Sequence, residues 1–185
     1  MKRWVLIGLL AAAVPGFAAD DASRVAASRA AAKEFMETLK GELQAAMKTG
    51  GPTNAIEVCH TKAPAIAREI SRAKGFDIGR TSLKTRNPDN APDAWERKVL
   101  EDFEARKRAG ADPATLEHHE TVTANGKATF RYMKAIPTAE LCLNCHGRKL
   151  DPKVSATLKR LYPEDQATGF NVGDLRGAFT VAQPL

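Results

Sequence analysis

The sequence is poor in cysteine, and only its first residues form a long hydrophobic run. Three cysteines, Cys59, Cys142 and Cys145, are too few to stabilise a small disulfide scaffold. Beyond residue 18, no segment approaches the ~20 apolar residues that a membrane-spanning helix requires. The sequence also has no Lys/Arg run typical of nucleic-acid binding, no hydrolase or phosphate-binding motif and no internal repeat. These absences favour a single globular domain whose chemistry depends on a few residues.

The N-terminal segment has the three parts of a secretory signal peptide. "MKR" is positively charged, "WVLIGLLAAAV" is apolar, and "PGFAA" offers small residues for cleavage after Ala18 or Ala19. An uncleaved membrane anchor is the alternative, although the apolar run is short for a span. We therefore predict a signal peptide over residues 1–18 and a single periplasmic domain over residues 19–185. The full chain has a formal charge of +6, and loss of Lys2 and Arg3 with the signal peptide would leave a mild, dispersed excess of +4.

Apolar spacing and capping residues predict four helices. A long helix from residue 23 should end at a Gly-Gly-Pro sequence near residue 50. The next helix, over residues 54–75, contains Pro64 and should either kink or restart there. A third helix is expected over residues 93–110, and a short fourth helix should begin at Asp151 as its cap.

Alternating segments between and after these helices predict antiparallel strands. The dipeptide Asn125-Gly126 lies between two such segments and predicts a β-hairpin. The segment "GDLRGAFTVAQ" predicts a closing strand in which Leu175, Phe179 and Val181 point inward. Helices followed by antiparallel strands, with further helices between them, indicate an α+β architecture.

Cys142, Cys145 and His146 form a Cys-x-x-Cys-His sequence, the attachment signature of c-type haem. The two-residue gap lets both thiols reach the two vinyl groups at one porphyrin edge, and the histidine is then carried beneath the ring toward the iron. Haem attachment after export agrees with the independent prediction of a signal peptide. A zinc site that includes Cys59, a dithiol redox pair and a strained disulfide are the alternatives. The motif follows a predicted hairpin and no βαβ unit surrounds it, which argues against the dithiol pair. We favour one covalently bound haem c, because the attachment signature and the signal peptide agree.

The second axial position of the iron has several candidate ligands. They are Cys59, His60, Met133, His118 and His119. Neighbouring helical residues point about 100° apart, so Cys59 shares an apolar stripe with Ile56 and Ala63 while His60 points away from it. A lone thiol in an oxidising compartment is also expected to be buried or bound. The residues alone favour Cys59, but a buried structural cysteine, each of the other ligands and an open position remain alternatives.

Six segments together resemble a family of periplasmic single-haem domains with a PAS-like fold, the cyanobacterial-type c-type haem redox-sensor domains. In chain order they are "AIEVCHTKAPAIA", "GRTSLKTRNPDNAPDAWE", "FRYMKAI", "LCLNCHG", "LYPEDQATGF" and "GDLRGAF". The resemblance extends over nearly the whole chain after the signal peptide. It implies a central antiparallel β-sheet with long N-terminal helices and a haem held against the sheet. It also implies that His146 and Cys59 are the two axial ligands of the haem iron.

A haem with histidine and cysteine ligands favours a redox sensor as the function of the protein. A thiolate ligand stabilises ferric iron, and its bond weakens on reduction, which would open a position for CO or NO. A free-standing periplasmic electron-transfer cytochrome c is the alternative function. We do not expect an enzyme, although displacement of Cys59 beside His60 leaves peroxidase-like activity as a third hypothesis. The expected partner is a separate redox or signalling protein; no nucleic acid and no membrane span of the mature chain are expected.

Three arginines on segments predicted to be extended are candidates for the haem propionates. Arg80, Arg86 and Arg176 could each supply bidentate contacts to a carboxylate. A solvated strand face is the alternative interpretation for each of them.

Overall fold

The computed structural model describes residues 16–185, with side chains from residue 20 onward. The predicted signal peptide, residues 1–18, lies outside the residues whose side chains are described. Within residues 16–185, no helix combines the length and the apolar character needed to cross a bilayer.

A helical hairpin forms the N-terminal part of the structure. Helix α1 (Gly16–Lys74) is broken at Gly51, whose φ of 67° and ψ of −163° belong to a region that only glycine adopts readily. Its two arms run antiparallel, because Lys62 of the second arm lies 3.8 Å from Glu42 of the first and Lys74 lies 2.9 Å from Glu34. The predicted end of the first helix at the Gly-Gly-Pro sequence is therefore confirmed.

The second arm passes through Pro64 without leaving helical geometry, so the helix does not restart there. Proline removes one backbone donor from the helix, but the buried stripe on this arm continues on both sides of it. Ile56, Ala63 and Ile66 are all buried. The helical phase that groups Cys59 with these residues therefore extends across the proline.

Four strands form one antiparallel sheet. They are β1 (Asp77–Thr81), β2 (Glu117–Ala124), β3 (Lys127–Pro137) and β4 (Leu175–Pro184), in the spatial order β1-β4-β3-β2. The predicted hairpin joins β2 to β3, and its two turn residues Asn125 and Gly126 have φ of 52° and 74°. Positive φ at both positions suits a two-residue turn that follows the twist of the strands. The predicted closing strand is β4, which lies centrally and pairs with both β1 and β3.

Three further helices are α2 (Ala94–Arg108), α3 (Leu143–His146) and α4 (Pro152–Leu161). Asp93 and Glu96 form a reciprocal capping box at the start of α2. The Asp151 side chain accepts a hydrogen bond from the backbone N–H of Lys153, as expected for the cap of α4.

Apolar side chains bury both faces of the sheet. Helix α1 covers one face, where Phe35 and Ile70 pack with Phe130, Tyr132 and Val181. Helix α2 covers part of the other face, and the buried residues there are Val99, Leu100, Phe103, Leu116, Met133, Ala135, Leu175 and Ala178. The expectation of an α+β fold with a central antiparallel sheet and long N-terminal helices is confirmed.

Candidate functional site

Three cysteines and one histidine approach each other from two parts of the chain. Cys59 lies on the second arm of α1, whereas Cys142, Cys145 and His146 lie in a short 3-10 turn and in α3, directly after β3. All three cysteines are free and partly buried. Cys145 packs against an apolar cluster that contains Ile56, which is one helical turn before Cys59. The long hairpin of α1 and the loop after β3 therefore meet at these sulfurs.

The hydrogen bond of His146 to a backbone carbonyl determines which ring nitrogen carries the proton. Burial, and then the charges of Arg176 and Arg86, lower the pKa of His146 well below its usual range, so the imidazole is neutral. Its Nδ1 lies 2.7 Å from the carbonyl oxygen of Ala167. A carbonyl can only accept a hydrogen bond, so Nδ1 carries the proton and Nε2 keeps its lone pair. A ligating histidine commonly has this arrangement, in which a backbone carbonyl fixes the tautomer.

The thiols of Cys59 and Cys145 have pKa values that differ from those of exposed cysteines. Burial raises the pKa of Cys59, while the charges of Arg80 and Arg86 lower it. Burial also raises the pKa of Cys145, and the nearby Cys59 and Cys142 add to this effect against the charge of Arg86. These sulfurs lie close enough to influence one another electrostatically.

Arg86 connects three segments around the histidine. Its guanidinium donates to the carbonyl oxygens of Cys145 at 2.6 Å and of Ala167 at 3.1 Å, and pairs with the Asp165 carboxylate at 3.0 Å. One of its terminal nitrogens lies 3.4 Å from His146 Nε2. Asp165 also accepts from the backbone N–H of Ala167 at 2.8 Å. Arg86 therefore positions both the motif and the loop that orients His146.

Arg176 and Arg80 bring two further positive charges to the same region. Arg176 Nε lies 3.5 Å from His146 Nε2, and its guanidinium donates to Ser82 Oγ at 3.2 Å. Burial, and then the charges of Arg86 and Arg80, lower the pKa of Arg176 to about 9. Burial also lowers the pKa of Arg80, whose guanidinium lies over the Phe35 ring. Among the described side chains, Arg86 alone of these three arginines has a carboxylate partner.

The structure thus brings the seven predicted site residues into one region. They are Cys59, Arg80, Arg86, Cys142, Cys145, His146 and Arg176. The other candidate axial ligands lie elsewhere or point away. Met133 is buried in the core beneath α2, and His118 and His119 lie on the edge strand β2. His60 is exposed, with its ring against the edge of Tyr162.

The four-ligand zinc arrangement is not formed by the described side chains. Within residues 16–185, no group of three or more His, Cys, Asp or Glu side chains is placed to hold a metal ion together.

Sequence reasoning missed three participants that all belong to one loop after α4. Asp165 binds Arg86, the Ala167 carbonyl binds His146, and Phe170 lies edge-on to the His146 ring with centroids 6.2 Å apart. The segment "LYPEDQATGF" contributed to the family resemblance, which was the available signal. Nothing in the residue types indicated that a backbone oxygen here would contact the motif histidine.

Comparison with known proteins places the chain in a family. A family model described as Tll0287-like matches residues 17–184. The chain belongs to this family. Among solved structures it is similar to the cyanobacterial heme-protein Tll0287, with 28% sequence identity and a TM-score of 0.65. The match covers 93% of this chain and 97% of that chain, whereas no curated protein matches significantly. The resemblance inferred from the six sequence segments is therefore confirmed.

Proposed function

We propose that this protein is a single-haem domain in which Cys142 and Cys145 hold a haem c covalently. The observation that carries the proposal is the Nε2 lone pair of His146, which the Nδ1–H contact to Ala167 keeps unprotonated in the same region as the free cysteines. Of the described side chains, Arg86 and Arg176 approach this nitrogen, at 3.4 Å and 3.5 Å. The similar solved structure, Tll0287, is a cyanobacterial heme-protein. Each thiol would add across one vinyl double bond, its sulfur bonding to one carbon and its hydrogen passing to the other. This addition needs no external oxidant.

His146 Nε2 and Cys59 Sγ are the two donor atoms that would hold the haem iron. Imidazole and thiolate are both established axial ligands of haem. Cys59 lies on a helix that is packed against the motif through Ile56 and Cys145. The charges of Arg80 and Arg86 lower the pKa of Cys59 against the effect of burial, which favours the thiolate form needed for ligation.

The buried positive charge around the site also fits a group with two carboxylates. Three arginines face one carboxylate, that of Asp165, among the described residues. Buried charges normally have partners, and Arg86 Nε is buried with no hydrogen-bond partner among the described residues. Arg80 and Arg176 are the better candidates for propionate contacts, because neither has a carboxylate partner among the described side chains, whereas Nη2 of Arg86 already contacts Asp165 and two carbonyl oxygens.

A haem held in this way would supply one-electron redox chemistry. The chain's own residues orient and enclose it. Ala167 and Asp165 fix the imidazole, and the arginines balance carboxylate charge. Apolar side chains of α1 and α4 limit the access of water to Cys145. We further propose that the chain is exported to the periplasm by its first 18 residues, and that it is not an enzyme.

Covalent attachment is tested with the double variant Cys142→Ser/Cys145→Ser in cells that mature c-type cytochromes. Haem should remain with the wild-type chain on a denaturing gel and give a c-type pyridine haemochrome spectrum. The double variant should lose both signals. The matched control is Cys59→Ser, which removes one thiol of the same region and should keep covalent haem. Haem absent from the wild type would refute the proposal.

We propose a redox sensor as the function, with Cys59 as the ligand that changes. The helix that carries Cys59 begins at the Gly51 break and is attached to α4 by an ion pair between Glu57 and Arg160. A movement of Cys59 would therefore reach both the apex of the hairpin and α4. The vacated position would admit a small gas such as CO or NO.

Electron transfer to a partner is the second candidate function. Cys142 and Cys145 are only partly buried, and Asn144 between them is exposed. The attachment edge of a haem would therefore lie near the surface, where a carrier exchanges electrons.

Binding of carbon monoxide to the haem distinguishes the sensor from the electron carrier. A sensor should bind CO in the ferrous state and not in the ferric state. A carrier should exchange one electron reversibly and reject CO in both states. The Met133→Leu variant is the control, because Met133 lies in the α2 core and should not affect either result.

A further inference from the structure

Four basic side chains form an exposed surface beside the cysteine motif. We call it the α4 basic face, and it consists of Arg148, Lys149, Lys153 and Lys159. None of the four forms an ion pair with the described side chains of the chain. The neighbouring Arg160 does, with Glu57. The one acidic residue of the segment, Asp151, uses its carboxylate to cap α4.

The net charge of the chain is concentrated on this segment. Residues 148–160 contain five basic side chains and one acidic side chain, a net charge of +4. The full chain has a net charge of +6, of which Lys2 and Arg3 supply two units. The positive and negative charges of all other residues therefore cancel. The net charge of α4 and the turn before it equals the +4 that remains without Lys2 and Arg3.

This face lies on the outer side of the helix that covers the attachment site. Val154 and Leu158 on the inner side of α4 pack with Ile56, and Cys145 packs against the same cluster. A helix with its side chains is about 10 Å thick, so a molecule on the basic face would lie within one helix diameter of Cys145. Between α4 and the motif loop runs an open groove of about 460 Å³, with Arg148, Lys159 and Tyr162 in its lining.

We propose that the α4 basic face is the docking surface for an acidic one-electron redox protein that exchanges electrons with this domain. The inference rests on the proposed haem function and adds the chemistry of its partner. Unpaired positive charge next to an electron-exchange site attracts a negatively charged partner and raises the association rate. The groove between α4 and the motif loop is a concave surface that an acidic loop of the partner could contact.

A protein partner fits this surface better than a lipid surface. Membrane-binding faces combine basic residues with large exposed apolar side chains. Among the described residues, the large exposed apolar side chains are Met36, Val172 and Leu185, and none belongs to the α4 basic face. Transient redox contacts between proteins bury little surface, and complementary charge raises their association rate.

The test measures electron exchange of the haem-loaded protein with small charged reagents. The variant Lys149→Glu/Lys153→Glu/Lys159→Glu replaces three positive charges of the α4 basic face with negative charges. The matched control Arg97→Glu/Lys98→Glu/Arg108→Glu makes the same change in net charge on exposed positions of α2, which covers the sheet face opposite α1. Stopped-flow oxidation of the reduced proteins by hexacyanoferrate(III) should be about tenfold slower for the face variant at low salt. The control should stay close to wild type, and the difference should vanish at high salt.

The cationic oxidant hexaammineruthenium(III) should show the opposite order, with the face variant faster than wild type. Equal changes of the oxidation rate in both triple variants would refute the proposed docking surface, because the change in net charge alone would explain them. Sedimentation of the wild type with phosphatidylserine vesicles, lost in the face variant, would also overturn it in favour of a membrane surface. A wild type without haem would instead refute the proposed function itself, and the absorption spectrum recorded before each measurement separates the two failures.

Discussion

His146 Nδ1 lies 2.7 Å from the Ala167 carbonyl oxygen, and Asp165 holds that carbonyl in place. One oxygen of Asp165 accepts from the Ala167 N–H at 2.8 Å, and the other pairs with Arg86 at 3.0 Å. Arg86 in turn donates to the Ala167 carbonyl at 3.1 Å. One carboxylate therefore supports the tautomer of the motif histidine through its neighbours.

Replacement of Asp165 by Asn should destabilise the fold. Asn keeps the shape and one acceptor but leaves the buried Arg86 without its carboxylate partner. Removal of one partner of a buried ion pair typically costs about 3 kcal/mol of unfolding free energy. We expect a loss of this size for Asp165→Asn in chemical denaturation.

The neighbouring Glu164 is the matched control for this change. It is exposed and forms no side-chain hydrogen bond or ion pair with the described residues, so Glu164→Gln should leave the unfolding free energy nearly unchanged. Equal stability of Asp165→Asn and wild type would contradict the role assigned to the Asp165–Arg86 pair.

The variant Cys59→Ser tests the second axial ligand. A thiolate donates charge to ferric iron, and a serine hydroxyl is a much weaker ligand. We expect the low-spin ferric EPR signal to be lost and the reduction potential to rise. His60→Gln is the control, because the adjacent His60 side chain is exposed and should leave both signals unchanged. An unchanged low-spin signal in Cys59→Ser would mean that Cys59 is not a ligand.

Local interactions explain which parts of the fold were predictable. The turn at Asn125-Gly126 and the caps at Asp93 and Asp151 depend on residues within four positions of each other, and the sequence displays them directly. The fold class followed from these signals and from apolar spacing. The contact between Arg86 and Asp165 joins residues far apart in the chain, and only the packing of α4 beside α1 brings them together. The Ala167 carbonyl was unpredictable for the same reason, since every residue has one.

Gly177 should not tolerate a side chain. Its φ is 153°, and a Cβ added there would lie 2.3 Å from the Thr81 carbonyl oxygen and 3.0 Å from Ser82 Cβ. Strained backbone of this kind costs about 1–3 kcal/mol, and the clash with β1 adds to it. We expect Gly177→Ala to lower the unfolding free energy by at least about 2 kcal/mol. It should also weaken the hydrogen bond from Ser82 Oγ to the Arg176 carbonyl, and with it the position of Arg176.

Gly79 provides a control in the same sheet. An added Cβ there would lie 3.7 Å from Thr180 Cγ2, an ordinary contact distance, and its φ is not positive. Gly79→Ala should therefore be close to neutral in chemical denaturation. Similar losses in both variants would show that β-sheet propensity, and not the close approach at Gly177, determines the result.

The free energy of unfolding should depend on pH through the carboxylate of Glu117. A hydrogen bond from Arg29 of α1, together with one of 2.9 Å from the Tyr132 hydroxyl, lowers the pKa of Glu117 from 4.5 to about 2. A lowered folded-state pKa stabilises the fold at pH values above the unfolded pKa, and this stabilisation is lost as the pH falls toward the folded pKa. The contact of the first arm of α1 with β2 should therefore weaken between about pH 5 and about pH 2.

Urea unfolding of Glu117→Gln across this pH range tests the effect. The variant should be less stable than wild type near pH 7, and the difference should shrink as the pH falls, because the wild-type carboxylate becomes protonated. The control is Glu101→Gln on α2, since Glu101 is exposed and has no side-chain partner among the described residues. A constant difference between Glu117→Gln and wild type over the whole range would mean that the Glu117 charge does not hold the first arm of α1 to the sheet.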